Sequence, residues 1–450
     1  MENFSVFFRS LLKNSKISLS RDLSIEEARF IISKINEYFF TNYKGIGVTN
    51  ILGDDFEYFS EFHKFWEKYH EQILNPKIDD KKCEKVADVL HEVYTRFGKL
   101  PFYELYETHS LTPQEICRIR YFSANQEFRG SRNFEDLFKK YNDDPSIFDK
   151  ENINNAPEDF LKNIEITSLS QGDKRVKYAK TSSQLLIDRK IEPYDLLEFF
   201  DNDILKLREF LISMRGAGFG NKKTDMFLRD MVILGVWKNP RNFDKIDVAS
   251  DINTVKVALR SGILKTDIVL LSSFLDIFCY QYSLIDEKNA LAWRKVWEIW
   301  KNKYPDESID SPCLIDYFVY RIIGKEFCKE SLCTFKCETN EHTFKWHSPK
   351  NKTCQVCYKN GIKGKKAFVI KKALPCTEDE GHLVIEKNEF VNGDNALLPD
   401  IKECPFVVVC NPKSSDFKKF NPPKSISIFG KTGWESAKTR SDDGGGGLMS

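Results

Sequence analysis

A glycine cluster between two apolar, helix-like segments constrains this chain more than any other stretch of its sequence. The first segment ends in the apolar run at 210–212, and the second carries its first apolar residues near 226. Between them lie three glycines at alternate positions, Gly216, Gly218 and Gly220. Glycine allows the positive φ of a tight turn and leaves backbone N–H groups bare, so the turn can bind a phosphate where the second helix starts. The alternative for the same glycines is an ordinary corner between two helices.

Residues 210–259 contain the runs GFGNKKTD at 218–225 and VASDIN at 248–253. With these runs the segment resembles the helix-hairpin-helix element of the DNA glycosylase superfamily. The run GFGNKKTD at 218–225 is similar to the family's hairpin, which reads roughly L-P-G-V-G-x-K-x-A-D. The run VASDIN at 248–253 is similar to the V-P-V-D-x-H segment that carries the family's catalytic aspartate. The resemblance makes Asp251 that aspartate, with Asn253 where histidine is usual. One alignment places the family's lysine at Lys222, and another places it at Lys223 within a run resembling the K-T-x-x-F of archaeal 8-oxoguanine glycosylases.

The chemistry that this resemblance implies is cleavage of the bond between a base and its sugar. Positive charge builds on the deoxyribose, and a carboxylate, here Asp251, stabilises it and can activate a water. Lys222 or Lys223 could attack the anomeric carbon and form a Schiff base, which would add lyase activity. The base must leave the stack to be reached. The resemblance also implies DNA contacts by six further residues: Gly216, Gly218, Gly220, Asn221, Thr224 and Asn253.

The overall organisation is more similar to one clade of this superfamily, the α-glutamyl/putrescinyl thymine pyrophosphorylases of phages and bacteria, than to compact repair enzymes. We therefore expect an N-glycosylase that excises a modified pyrimidine, hydroxymethylated or glucosylated, in anti-phage defence or repair, and leaves an abasic site. A second hypothesis is an enzyme that alters hypermodified thymine and leaves the glycosidic bond intact. A third is a DNA-binding zinc protein without catalysis.

The C-terminal region is rich in cysteine, with eight of the chain's twelve cysteines between 328 and 410. Two short pairs separated by a loop are typical of a tetrahedral structural zinc site. The predicted ligands are Cys333, Cys337, Cys354 and Cys357. Alternates are Cys328, His342, His347 and Cys376. An iron–sulfur cluster fits the spacing less well, and unmetallated core cysteines are the remaining alternative. No small-molecule cofactor is evident.

The fold class predicted is mainly α, a helix-hairpin-helix glycosylase-like body with a small cysteine-rich α+β module. A length of 450 residues suggests two or three domains. We place them at 1–165 (N-terminal helical region), 166–325 (glycosylase-like domain) and 326–450 (zinc module). The first 325 residues are predicted to be all-α, with polar surface loops and one short helix at 141–163. Short strands are predicted at 382–386 and 405–409.

Two further helices carry side chains of interest. A helix predicted at 173–188 bears Lys174, Arg175, Lys177 and Lys180, whose basic face either touches DNA phosphates or is simply solvated. A later helix carries Trp293, Trp297 and Trp300 at helical spacing, which predicts packing against the glycosylase-like domain.

Charge and hydropathy limit the partners. The formal net charge is +1, so any surface for nucleic acid must be local. No apolar run approaches 18 residues, so no membrane span is expected. The N-terminal sequence lacks the features of a signal peptide, and the cysteine usage suits a reducing compartment. We expect a cytoplasmic protein whose partner is DNA.

Overall fold

A computed structural model describes most of the chain up to residue 327 and parts of the remainder. The described residues are 2–18, 21, 23–31, 34, 68–69, 71–103, 108, 111–127, 134–166, 172–267, 282–327, 333–337, 343–346, 368–372, 374–375, 383–384 and 404–410. Within them the protein is mainly helical, as predicted.

The α-helices are α1 (Glu2–Ser15), α2 (Asp80–Phe97), α3 (Leu100–Tyr103), α4 (Pro113–Ala124), α5 (Phe134–Asp143), α6 (Lys150–Asn155), α7 (Pro157–Asn163), α8 (Gly172–Arg189), α9 (Leu196–Phe199), α10 (Ile204–Ser213), α11 (Asn221–Ile233), α12 (Ile252–Ser261), α13 (Tyr282–Lys303) and α14 (Ile315–Tyr317). A π-helix, Phe318–Phe327, continues from α14. Residues 25–31 and 71–74 are also helical. Short 3₁₀ turns occupy Pro145–Phe148, Pro193–Asp195, Phe243–Lys245, Pro312–Leu314 and Pro405–Val408.

Local sequence explains where several helices begin. The α4 helix starts with a capping box, in which the Thr112 hydroxyl accepts from the Glu115 amide and the Glu115 carboxylate accepts from the Thr112 amide. Pro113 occupies the first helical position, where its missing N–H costs nothing. The helix predicted at 173–188 is confirmed as α8.

The prediction of surface loops with one short helix at 141–163 is wrong, because this polar segment is mostly helical. Its turn residues are helix caps. The carboxylate of Asp144 accepts from the Ser146 amide, and that of Asp149 accepts from the amides of Glu151 and Asn152. Aspartate is favoured both in turns and at helix N-caps, so the sequence pattern is shared by the two structures.

The body's core joins its N-terminal part to α13. The indole of Trp300 lies 5.9 Å from the Tyr94 ring and 5.3 Å from the Phe102 ring, measured between centroids. All three tryptophans are buried. Trp300 packs on α2 and α3. The helix that carries the three tryptophans, α13, also packs on α12 within the region 166–325.

The strands within the described residues are short. In the described part of the first 325 residues, the all-α prediction misses one antiparallel pair, β1 (Lys77–Ile78) with β2 (Leu264–Lys265). The C-terminal region contains a three-stranded antiparallel sheet in the order β4 (Thr343–Trp346), β3 (Cys333–Cys337), β5 (Phe368–Lys372). A further pair joins β6 (Leu374–Pro375) to β7 (Leu383–Val384), which lies within the strand predicted at 382–386.

The strand predicted at 405–409 is a 3₁₀ turn instead. Proline at the first position suits a helical turn, and the single turn buries Phe406 fully. The Phe406 ring lies 6.4 Å from Trp293 and 6.2 Å from Phe318, between centroids. Buried side chains, Phe406 among them, therefore anchor this segment, which is not a strand.

Candidate active site

The loop between α10 and α11 needs glycine at two positions. Gly216 has φ +88° and Gly218 has φ +79°, both in the region that L-residues avoid. Helix α8 also lies against this loop. A Cβ built on Gly216 would come within 2.7 Å of Lys177 Cε, and one on Gly218 within 2.6 Å of the Tyr178 ring. The expected positive φ is confirmed, and both glycines have a structural reason to be there.

Gly220 differs from the other two glycines. Its φ of −95° suits any residue, and a Cβ there would meet nothing within 4 Å. It is the N-cap of α11 and provides no side chain to cap it. The first amides of a helix have no partner within the helix, so this open start can receive an anion. Asn221 and Lys222 are both exposed here.

An ion pair fixes α10 against α11. The guanidinium of Arg208 donates to both carboxylate oxygens of Asp225, which is 4% exposed. Burial raises the pKa of Asp225 to about 6, against the opposing effect of Arg208. Asp225 therefore holds α10 and α11 together.

The two lysines that the sequence could not separate occupy different surroundings. The Lys223 ammonium donates to the Asn125 carbonyl at 2.7 Å and lies 5.4 Å from the centre of the Tyr178 ring. Burial, with a smaller effect of Arg175, lowers the pKa of Lys223 to about 8. Lys222 is exposed and close enough to Asp286 to lower the pKa of that carboxyl. The structure therefore brings Lys222, and not Lys223, towards the acidic groups described next.

Two residues expected at a DNA surface are instead buried. Thr224 is fully buried, so its side chain faces the interior of the helical body, and its predicted DNA contact stays a prediction. Arg175, on the predicted basic face of α8, is 1% exposed, and its guanidinium donates to the Gln126 carbonyl at 2.9 Å. Helical periodicity alone does not reveal which face of an evenly charged helix is covered.

Asp251 is the N-cap of α12. One oxygen of its carboxylate accepts from the amides of Asn253 and Thr254 at 2.9 and 2.8 Å, and the other accepts from Asn253 Nδ2 at 3.2 Å. The Lys256 ammonium donates to Asn253 Oδ1 at 3.2 Å and so orients that amide towards Asp251. This arrangement suits an ionised carboxylate, since hydrogen bonds to the charged form and a helix N-terminus both stabilise an anion. Asn253 thus supports Asp251 directly.

A second carboxylate, Asp286 on α13, lies beside the first. Ser250 precedes Asp251 in the chain, and its hydroxyl donates to Asp286 Oδ1 at 2.8 Å. The amide of Asn289, which is fully buried, donates to Ser250 Oγ at 2.8 Å. Burial raises the pKa of Asp286 to about 6. The Ser250 hydrogen bond and Lys222 oppose that rise, and Asp251 adds to it. Asp251 and Asp286 are therefore close enough to influence each other.

We call Lys222, Ser250, Asp251, Asp286 and Asn289 the dicarboxylate cluster. No family model matches the chain, and no curated protein or solved structure is significantly similar to it. The function of the cluster is therefore inferred from the chemistry of its own residues.

The sequence did not single out Asp286 or Asn289, although it holds a signal for them. Asp286 and Asn289 share a helical stripe with Trp293 and Val296, and those two apolar residues are fully buried. Polar residues on the core-facing stripe of a helix require hydrogen-bond partners, which marks them as candidates for a site. Ser250 carried no such signal, because it lies outside any regular element.

The predicted zinc ligands fall only partly within the described backbone. Cys333 and Cys337 are the first and last residues of β3, while Cys354 and Cys357 lie outside the described residues. The short chelating turn expected between the first two is an extended strand, which separates their Cα atoms by about 13 Å. Among the side chains that the structure describes, no three His, Cys, Asp or Glu residues converge as a metal site. Zinc at these four cysteines stays a prediction.

Within the described ranges, no helix has both the length and the apolar character needed to cross a bilayer.

Proposed function

We propose that the protein is a DNA base N-glycosylase that excises a modified pyrimidine, hydroxymethylated or glucosylated, and leaves an abasic site. The observation that carries this proposal is the position of the Asp251 carboxylate at the start of α12, in one cluster with Asp286 and the exposed Lys222. An anion held by helix amides is suited to stabilise the positive charge that develops on a sugar as its base departs. Defence against phages with modified DNA, or repair, is the setting that such an activity would serve.

The start of α11 supports a role in holding the DNA backbone. Gly220 leaves space above the first amides of the helix, and Lys222 stands beside them. Helix amides together with a lysine bind phosphate well, and phosphate contacts fix the register of a protein on DNA. A phosphate bound there would place the adjoining sugar near Asp251. If Lys222 attacked the sugar, the enzyme would also cut the strand.

The test is mass spectrometry of bases released from DNA that carries ordinary, hydroxymethylated or glucosylated pyrimidines. We expect a free modified base from the wild-type protein and a rate lower by at least about 100-fold from Asp251→Asn. Asparagine is as good an N-cap as aspartate, so this variant should keep its fold and its DNA binding. Asp244→Asn removes a carboxylate that is 44% exposed, and serves as the matched control with unchanged release.

Other outcomes would identify the alternatives. Full release by Asp251→Asn would contradict the mechanism. A mass change on nucleosides recovered from the DNA, without a free base, would instead favour an enzyme of the α-glutamyl/putrescinyl thymine pyrophosphorylase type. DNA binding with neither change would leave a DNA-binding zinc protein without catalysis.

A further inference from the structure

The hydrogen bonds in and beneath the dicarboxylate cluster determine which acceptor each hydroxyl and amide hydrogen points to. The Thr254 hydroxyl donates to the Asp251 carbonyl at 2.9 Å, so its oxygen must accept from Asn289 Nδ2 at 3.1 Å. This sets the orientation of the Asn289 amide, whose Nδ2 also donates to Ser250 Oγ. The only proton of Ser250 is therefore directed to Asp286 Oδ1.

The consequence is that a proton on Asp286 resides on Oδ2. Oδ1 accepts a hydrogen bond from the Ser250 hydroxyl, whereas Oδ2 has no hydrogen bond to any described residue and is accessible to solvent. A protonated Asp286 therefore presents an O–H donor on the accessible side of the cluster. Asn289 and Thr254, both fully buried, hold this arrangement from beneath.

Asp251 and Asp286 have different surroundings. Those of Asp251 favour a charged carboxylate, and those of Asp286 favour a carboxyl group that can donate a proton. Asp251 accepts three hydrogen bonds from N–H donors. Asp286 accepts one, and burial raises its pKa to about 6. The charged groups that act on it are Lys222 from α11 and Asp251 from the segment before α12. Neighbouring carboxylates in unlike surroundings are a common way to obtain one acid and one ionised group.

We propose that Asp286 is the general acid that protonates the departing base, while Asp251 stays ionised beneath the sugar. This assignment rests on the proposed glycosylase function and deepens it. The C1′–N1 bond breaks with its electron pair retained by the base, which receives the proton from Asp286 Oδ2. The oxygen of a water then bonds to C1′, and the proton that this water loses passes through Asp251 to solvent. Solvent returns a proton to Asp286.

The experiment compares two duplex oligonucleotides, one with 5-hydroxymethyluracil and one with 5-formyluracil, under single-turnover conditions. The electron-withdrawing formyl group stabilises the departing anion, so this base needs less help from an acid. We expect Asp286→Asn to release 5-hydroxymethyluracil about 100-fold more slowly. The loss for 5-formyluracil should be below about 10-fold. Asparagine can still accept from Ser250, so the fold of the cluster is kept.

The pH profile is the second readout, since a general acid works only when it is protonated. The rate of the wild-type protein should fall as pH rises through the pKa of Asp286, about 6, and that fall should be absent in Asp286→Asn. Equal losses for the two bases, or a fall with pH that persists in the variant, would overturn the assignment and leave the glycosylase function standing. No free base from these oligonucleotides or from the DNA with hydroxymethylated or glucosylated pyrimidines would reject the glycosylase proposal, and the acid with it.

Discussion

The two ends of α11 use charged residues in opposite ways. At its start, Lys222 is exposed and Gly220 leaves the first amides open. In its second half, Arg229 and Asp230 are buried in a network that reaches other helices. Both oxygens of Asp230 accept, one from Arg120 on α4 and the other from Arg229. Buried charges that satisfy one another fix how helices pack, whereas accessible groups with hydrogen-bonding capacity left over are available for a ligand.

The first test of this comparison removes a charge from the buried network in the second half of α11. Asp230→Ala removes the acceptor shared by Arg120 and Arg229, which are 1% and 4% exposed, and leaves both guanidinium groups short of a partner. Breaking a buried pair in this way costs about 3–5 kcal/mol of unfolding free energy. Urea unfolding measures this loss of unfolding free energy. Asp244→Ala, which removes an exposed ion pair with Lys245, should cost about 0.5 kcal/mol or less. Similar losses in the two variants would show that the buried network does not hold α11 in place.

The second test separates the two reasons for glycine in the loop. Gly218→Ala meets both a positive φ and the Tyr178 ring, so we expect a loss of about 2–4 kcal/mol in unfolding free energy. Gly235 also has positive φ, +70°, but open space around it, so Gly235→Ala should cost only about 1–2 kcal/mol. The difference between the variants measures the contact with α8. Equal losses would mean that Tyr178 moves aside freely.

Much of the helical body could be predicted from the sequence because its signals are local. The capping residues Thr112 and Glu115 with Pro113 between them predict the start of α4, and the glycines at 216 and 218 predict a turn with positive φ. Local signals fail where one residue type suits two structures. Asp144 and Asp149 read as turn residues, and the structure uses them to begin helical turns.

The candidate site was less accessible to prediction, because it depends on contacts between distant segments. Asp251 entered through a resemblance, and the structure adds that it caps α12. Asp286 is 35 residues further along the chain and reaches the cluster only because α13 packs on α12. The burial of Thr224 and Arg175 likewise depends on which helices cover them. No local pattern distinguishes these residues from exposed ones of the same type.

The open end of α11 supplies the smallest and most specific test, a comparison of neighbouring lysines. Lys222→Met should weaken binding to duplex DNA by about 10-fold and reduce the dependence of log K on log salt by about 1, since one phosphate contact is lost. Lys223→Met should change the affinity by less than about 3-fold and leave the salt dependence as it is, because the Lys223 ammonium already donates to the Asn125 carbonyl beneath the Tyr178 ring. Fluorescence anisotropy at several salt concentrations measures both quantities, and borohydride trapping on an abasic site tests whether any covalent adduct requires Lys222. Measured at pH 6, where the Lys223 ammonium with its pKa of about 8 is also charged, the two variants have the same change in charge, so a difference between them must arise from position. If both weaken DNA binding equally, the start of α11 contributes only to the general charge of the surface, and the contrast between its two ends does not extend to function.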